Sequence, residues 1–221
     1  MNRRNLWVVA AAIFCCGIMA VVDGVIQPGY APKSAIKILV FGLIPLILTR
    51  FHRELQFTQA LGFRRKGFAL ALGLGLGVYG LILGGYFLVR NFFDFSGIAG
   101  SLLDNAGVSK ENFLYVSLYI SLVNSLLEEL FFRGFLFLNL KHRSRRFAYV
   151  FSAGAFAAYH VAMMIGWFSP VLWLLVMAGL FVGGLIFNWL NEKQESIYPS
   201  WLVHMFANFA INTIGFILLS A

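Results

Sequence analysis

Long apolar segments follow one another along almost the whole of this 221-residue chain, with short polar stretches between them. Since about 20 apolar residues cross the hydrocarbon core of a bilayer as a helix, each segment is a candidate transmembrane helix. The composition agrees, because 60% of the residues are hydrophobic and only 12% are charged, against about 25% charged residues in soluble domains. The sequence therefore predicts an all-α, polytopic membrane helix bundle and excludes a separate soluble domain.

We predict about seven transmembrane helices, within a range of about six to eight, in a single integral membrane domain over residues 1–221. The predicted spans cover residues 6–22, 35–48, 68–89, 113–140, 147–168, 171–190 and 201–219. The polar stretches interpreted as loops include residues 23–34, 90–112 and 191–200. The fourth span is longer than the hydrocarbon core, so it should tilt, kink or protrude. Lys37, near the end of the second span, is expected to extend its ammonium towards the membrane surface.

The basic residues predict the orientation of these spans. With the N-terminus inside, the inner segments carry twelve of the 17 Lys and Arg residues, and the outer segments carry four. Because cytoplasmic loops are enriched in Lys and Arg, we expect a cytoplasmic N-terminus, and the inner membrane of a bacterium suits a small chain of this kind. The net charge of +8 is thus read as topology rather than nucleic-acid binding. The first apolar segment also resembles a signal peptide, but its length favours a retained helix.

Two adjacent glutamates and an arginine lie inside the fourth apolar segment. A charge at the centre of a bilayer costs about 2.5–3.5 kcal/mol on insertion scales, so these residues need a reason to be there. Of the nine acidic residues, only Glu128 and Glu129 fall well inside a predicted span, and of the 17 basic residues only Arg133 does. Glu129 and Arg133 are one helical turn apart and are interpreted as an ion pair. Glu128 points elsewhere and can face a cavity.

Histidine and asparagine side chains lie in two other apolar segments. His160 is in the fifth predicted span, and His204, Asn208 and Asn212 follow at four-residue steps on one face of the seventh. A buried carboxylate can take a proton from water and later give it to a leaving amine. Histidine and amide groups can donate hydrogen bonds to an oxyanion. The set therefore predicts hydrolytic chemistry, while Asn212 is interpreted as a helix-packing residue.

Three short motifs in three apolar segments carry a family resemblance. They read Glu128-Glu129-x-x-x-Arg133, Phe156-x-x-x-His160 and His204-x-x-x-Asn208, in that order. Their sequence and membrane context are similar to those of the CAAX-protease and bacteriocin-processing family, also called CPBP or Abi. The resemblance covers roughly residues 113–215, which we interpret as the catalytic core.

The resemblance implies an intramembrane endopeptidase that cuts a membrane-associated protein or peptide near its C-terminus or leader. Glu128 would be the general base that activates water, assisted by His160. His204 and Asn208 would hold the oxyanion. Glu129 and Arg133 would support the site, and the bilayer and a membrane-anchored substrate would be the partners.

Two other functions use the same residues. A zinc protease is one, because two histidines and a carboxylate can bind zinc, although the chain has no His-Glu-x-x-His pattern. A transporter or proton relay is the other, because buried Glu and His residues also mark ion pathways. The resemblance favours the glutamate mechanism, with no cofactor and no metal ion, over both.

Overall fold

The computed structural model describes residues 3–63, 65, 67–95, 97 and 111–220. This part of the chain forms helices and contains no strand. The long helices are α1 (Arg3–Ile26), α2 (Tyr30–Phe51), α3 (Phe68–Val89), α4 (Phe113–Lys141), α5 (Arg145–Met163), α6 (Pro170–Gln194) and α7 (Tyr198–Ser220). A 3₁₀ turn lies at Thr58–Leu61. All of the long helices except α5 are long and apolar enough to cross a membrane, which gives six candidate spans. The predicted all-α polytopic bundle is confirmed.

The connection between α1 and α2 is shorter than the predicted loop at 23–34. Helix α1 continues to Ile26 through a π-helical turn and stops at Gln27, whose φ of 45° is left-handed. Helix α2 then begins at Tyr30. The loop was predicted from Asp23, Pro28 and Pro32, but Asp23 forms an ion pair with Lys33 of α2. Because each charge has a partner, both can remain on helices inside the bundle.

The other loop predictions fared differently. Helix α6 runs to Gln194, so the break within the predicted loop at 191–200 is confined to Glu195–Ile197. Asn191 is fully buried, and its Nδ2 donates to the carbonyl of Phe187 and to Ser200 Oγ. Of the predicted loop at 90–112, residues 96 and 98–110 lie outside the described residues, as do Arg64 and Lys66 of the preceding basic segment.

Helix α4 is the central element of the bundle. It has 29 residues and contacts α1, α2, α5, α6 and α7. Two of its stretches, Ile120–Asn124 and Glu129–Phe137, are π-helical. The π-helical turns are wider than α-helical turns and occur frequently at functional sites. The second stretch is buried along nearly its whole length, and the Phe131 ring stacks on Phe41 of α2 at 4.3 Å between ring centroids.

Glycines permit two close helix contacts around α4. Helix α3 packs along α7 with Gly75 against the ring of Phe206. Helix α6 approaches α5 at Gly184, where an added Cβ would lie 3.0 Å from Ala153. Small residues allow helix backbones to approach closely in a membrane. These contacts hold α5 and α7, which carry the histidines of the candidate site, in place beside α4.

Candidate active site

Glu128 lies in α4 with its side chain only 2% exposed. Its oxygen Oε1 forms an ion pair with the ammonium of Lys37 and accepts a hydrogen bond from Asn124 Nδ2 at 3.0 Å. Its oxygen Oε2 has no hydrogen-bond partner among the described residues. That oxygen lies 3.8 Å from Nε2 of His160 and 3.7 Å from Nε2 of His204. The two carboxylate oxygens therefore face different surroundings, one a cation and the other two imidazoles.

The Lys37 side chain contradicts the prediction that it reaches the membrane surface. It is 4% exposed, and its ammonium donates to Glu128 Oε1 and to Asn124 Oδ1. The ammonium also lies 4.8 Å from the centroid of the Tyr159 ring. The prediction was wrong because α2 begins at Tyr30, well before the predicted start of the span, which places Lys37 within the bundle. The sequence did contain a signal for a second buried cation, because the apolar segment that holds two glutamates holds only one arginine.

His160 is oriented by its own helix. Its Nδ1 lies 2.7 Å from the carbonyl oxygen of Phe156. Because a carbonyl only accepts hydrogen bonds, Nδ1 carries the proton, and in the neutral ring Nε2 is then the acceptor. The rings of Phe156 and Tyr159 contact the imidazole edge to face. The basic nitrogen of His160 is therefore directed at Glu128 Oε2.

His204 lies between the two glutamates. Its Nδ1 donates to Glu129 Oε1 at 3.0 Å, and its Nε2 faces Glu128 Oε2. The ring stacks on Phe187 with 5.2 Å between ring centroids. A buried imidazole that donates to a carboxylate has a fixed tautomer and orientation.

Glu129 and Arg133 form the ion pair that the sequence suggested, with 3.2 Å between Arg133 Nη1 and Glu129 Oε1. Both side chains are fully buried. The guanidinium also lies over the rings of Phe156 and Phe187, at 4.2 and 4.9 Å from their centroids. Together with the Lys37–Glu128 pair, this cluster has two positive and two negative side chains. Its formal charge is zero when both histidines are neutral.

Asn208 and Asn212 bridge α7 to the first π-helical stretch of α4 and the turn before it. Asn208 Nδ2 donates to the carbonyl of Ile120 at 3.2 Å. Asn212 Nδ2 donates to the carbonyl of Ser117 at 3.2 Å and to Ser121 Oγ at 3.1 Å. The structure thus brings Glu128 together with both histidines, while the Asn208 amide binds a backbone carbonyl.

Among the described residues, no group of three or more His, Cys, Asp or Glu side chains is arranged to hold a metal ion. The two histidines that face Glu128 Oε2 are separated from it by more than hydrogen-bond distance. A polar gap of this kind is bridged by water in many active sites.

The second half of the chain is similar to a known protein family. Residues 110–210 match the model of a family described as Rce1-like, type II CAAX prenyl endopeptidase Rce1-like. No curated protein and no solved structure matches the chain. The matched segment contains Glu128, His160, His204 and Asn208, whereas Lys37 lies outside it. The predicted resemblance to the CAAX-protease family is confirmed.

Proposed function

We propose that this chain is an intramembrane endopeptidase, because residues 110–210 match the Rce1-like family model. We further propose that it cleaves membrane-associated proteins or peptides near their C-terminus or leader, with water activated by Glu128. The observation that carries this proposal is the position of Glu128 Oε2. This oxygen is buried, has no hydrogen-bond partner in the described part of the chain, and faces Nε2 of both His160 and His204. Such an oxygen is suited to accept a proton from water.

In the proposed reaction, water binds between Glu128 Oε2 and His160 Nε2. Glu128 accepts a proton as the water oxygen attacks the scissile carbonyl carbon, and the carbonyl oxygen becomes an oxyanion. The tetrahedral intermediate then collapses, its C–N bond breaks, and Glu128 returns the proton to the leaving amine. The products are a carboxylic acid and an amine, and the Glu128 carboxylate is regenerated.

His204 and Asn208 are the proposed oxyanion donors. Since His204 Nδ1 already donates to Glu129, donation from Nε2 requires the imidazolium, which the Glu129 carboxylate stabilises. Asn208 binds the Ile120 carbonyl through one amide hydrogen, and an amide nitrogen carries two. The second hydrogen would bind the oxyanion. Donors that are held in place before the reaction stabilise such charge effectively.

The six candidate spans support a multi-pass membrane setting, and the excess of Lys and Arg in the predicted inner segments supports the proposed orientation. We place the N-terminus in the cytoplasm and the chain in a bacterial inner membrane. The substrate would be anchored in the same bilayer, where attachment to the membrane raises its local concentration at a buried site.

A zinc mechanism is the second candidate, since two histidine nitrogens approach the same carboxylate oxygen of Glu128. The Lys37 ammonium on that carboxylate disfavours it, because a second cation would be repelled. We therefore propose the reaction without a cofactor or metal ion.

The deciding experiment measures cleavage of a fluorogenic, membrane-anchored peptide library by the purified protein in detergent. Wild type is compared with Glu128→Gln, and with Glu192→Gln as a matched control. Glu192 lies on α6 and pairs with Arg145 and Tyr149. We expect cleavage by wild type and the control, with and without chelator, and none by Glu128→Gln. Full activity of Glu128→Gln would refute the assigned base, and loss with chelator would favour zinc.

A further inference from the structure

We propose that Lys37 is a positioning residue of this active site: it binds one oxygen of Glu128 and keeps the carboxylate ionised, so that the other oxygen can act as the base. The inference deepens the proposed function and rests on the role given there to Glu128. Lys37 belongs to α2, outside the segment that matches the family model. The site would therefore be completed by a helix from the N-terminal half of the chain.

The contacts of the Lys37 ammonium support this role. An ammonium has three hydrogen-bond donors, and here two of them bind Glu128 Oε1 and Asn124 Oδ1. The face of the Tyr159 ring lies nearby and stabilises the charge further. Asn124 also donates to Glu128 Oε1. Lys37 and Asn124 thus hold the same carboxylate oxygen from two helices and leave Oε2 directed at the histidines.

The second buried cation cannot take over this task. Arg133 binds Glu129, and its guanidinium is enclosed by the rings of Phe156 and Phe187. Each glutamate therefore has its own counter-ion, supplied by a different helix. Removing Lys37 leaves Glu128 without one, while the pair between Glu129 and Arg133 is unchanged.

The consequence of removing Lys37 concerns the protonation of Glu128. The groups that face Glu128 are Lys37 on α2, Asn124 on α4, His160 on α5 and His204 on α7. Of these groups, Lys37 is the cation that forms a direct ion pair with the Glu128 carboxylate in the described part of the chain. Without it, burial favours the neutral acid. A protonated Glu128 cannot accept a proton from water.

Infrared difference spectroscopy tests this without any substrate, using the full-length protein in detergent. At neutral pH, Lys37→Met should show the carbonyl stretch of a protonated carboxylic acid, and the band should disappear at high pH. Wild type and Lys37→Arg should lack the band, because both keep a cation. The double variant Lys37→Met/Glu128→Gln should lack it too, which assigns the band to Glu128. The inference is overturned if Lys37→Met gives no such band, or if wild type already shows it.

Kinetics separate positioning from a purely structural role. For Lys37→Met we expect kcat at neutral pH to fall at least about tenfold, with KM within about twofold, since proton transfer and not binding is impaired. The activity should recover towards high pH, and Lys37→Arg should keep the acidic limb of the wild-type profile. An unchanged pH profile in Lys37→Met would overturn the inference while the proposed function stands. Cleavage by Glu128→Gln would instead refute the proposed function.

Lys37→Met can fail to fold, because it leaves a buried charge without its partner. The double variant Lys37→Met/Glu128→Gln then tests whether Lys37 acts on Glu128, since it removes both charges. If the double variant folds where the single variant does not, Lys37 acts on Glu128 as proposed. If the double variant also fails to fold, Lys37 stabilises some other group, and the inference is wrong.

Discussion

His204 Nδ1 lies 3.0 Å from Glu129 Oε1, so the glutamate next to the proposed base orients the histidine that faces this base. Glu128 and Glu129, although adjacent on α4, thus have different contacts in the site. Glu128 faces the two imidazole nitrogens, and Glu129 links His204 to Arg133.

The first prediction concerns His204. His204→Asn should retain a donor to Glu129 and lose the group at Nε2, so kcat should fall about 10²–10³-fold.

Stability provides the control for His204→Asn. The melting temperature in detergent should stay near that of wild type, because the buried carboxylate keeps its hydrogen bond. A large fall in melting temperature with little loss of kcat would assign His204 to structure rather than catalysis.

Glu129→Gln and Arg133→Met should each destabilise the protein, because each leaves a fully buried charge unpaired. Breaking a buried ion pair in this way costs about 3–5 kcal/mol. The double variant removes both charges and should recover much of the folded yield, as measured by size-exclusion chromatography after heating. Losses that simply add in the double variant would contradict the pairing.

Asn208 and Asn212 offer a matched comparison, because both donate from α7 to a carbonyl of α4 at 3.2 Å. Each alanine variant loses an interhelical hydrogen bond, so both should be destabilised by about 1 kcal/mol. Only Asn208→Ala should also lose kcat, since Asn208 lies one helical turn from His204 and is the proposed oxyanion donor. Equal kcat values for the two variants would remove Asn208 from the site.

His142, beyond the end of α4, predicts a dependence of stability on pH. Partial burial, together with the nearby charges of Arg4 and Lys141, lowers the pKa of His142 below its usual value of 6.5. In the window just below pH 6.5, the unfolded chain therefore binds more protons at this position than the folded protein. Stability should fall as the pH falls through this window, and His142→Gln should make the fall shallower. A steeper fall of stability in His142→Gln would contradict the predicted direction of this pH dependence.

The sequence predicted the helices well where the apolar segments end at clear polar boundaries. The predicted span at 113–140 corresponds to α4, and the three motifs identified Glu128 and both histidines that the fold brings together. The π-helical stretches of α4 had no such signal, because they depend on how the helix packs against its neighbours.

Lys37 and Asp23 could not be placed from hydropathy. A window of hydropathy treats each charge as if it had to be solvated alone, so both residues suggested membrane ends or loops. In the structure, Asp23 pairs with Lys33, and Lys37 pairs with Glu128. Pairing offsets part of the cost of burying a charge, but the partner of Lys37 is far away along the chain. The Asn208 bond to Ile120 was missed for the same reason.

The charge balance of the buried cluster bears on the membrane voltage. A net elementary charge moved across a membrane potential gains or loses about 2.3 kcal/mol per 100 mV. With both histidines neutral, the two glutamates, Lys37 and Arg133 sum to zero, as do Asp23 and Lys33. In that state the electric field exerts no net force on these buried groups. In the proposed reaction a proton passes from water to Glu128 and then to the leaving amine, which is a movement of only a few ångströms, so the energised state of the membrane should hardly affect hydrolysis.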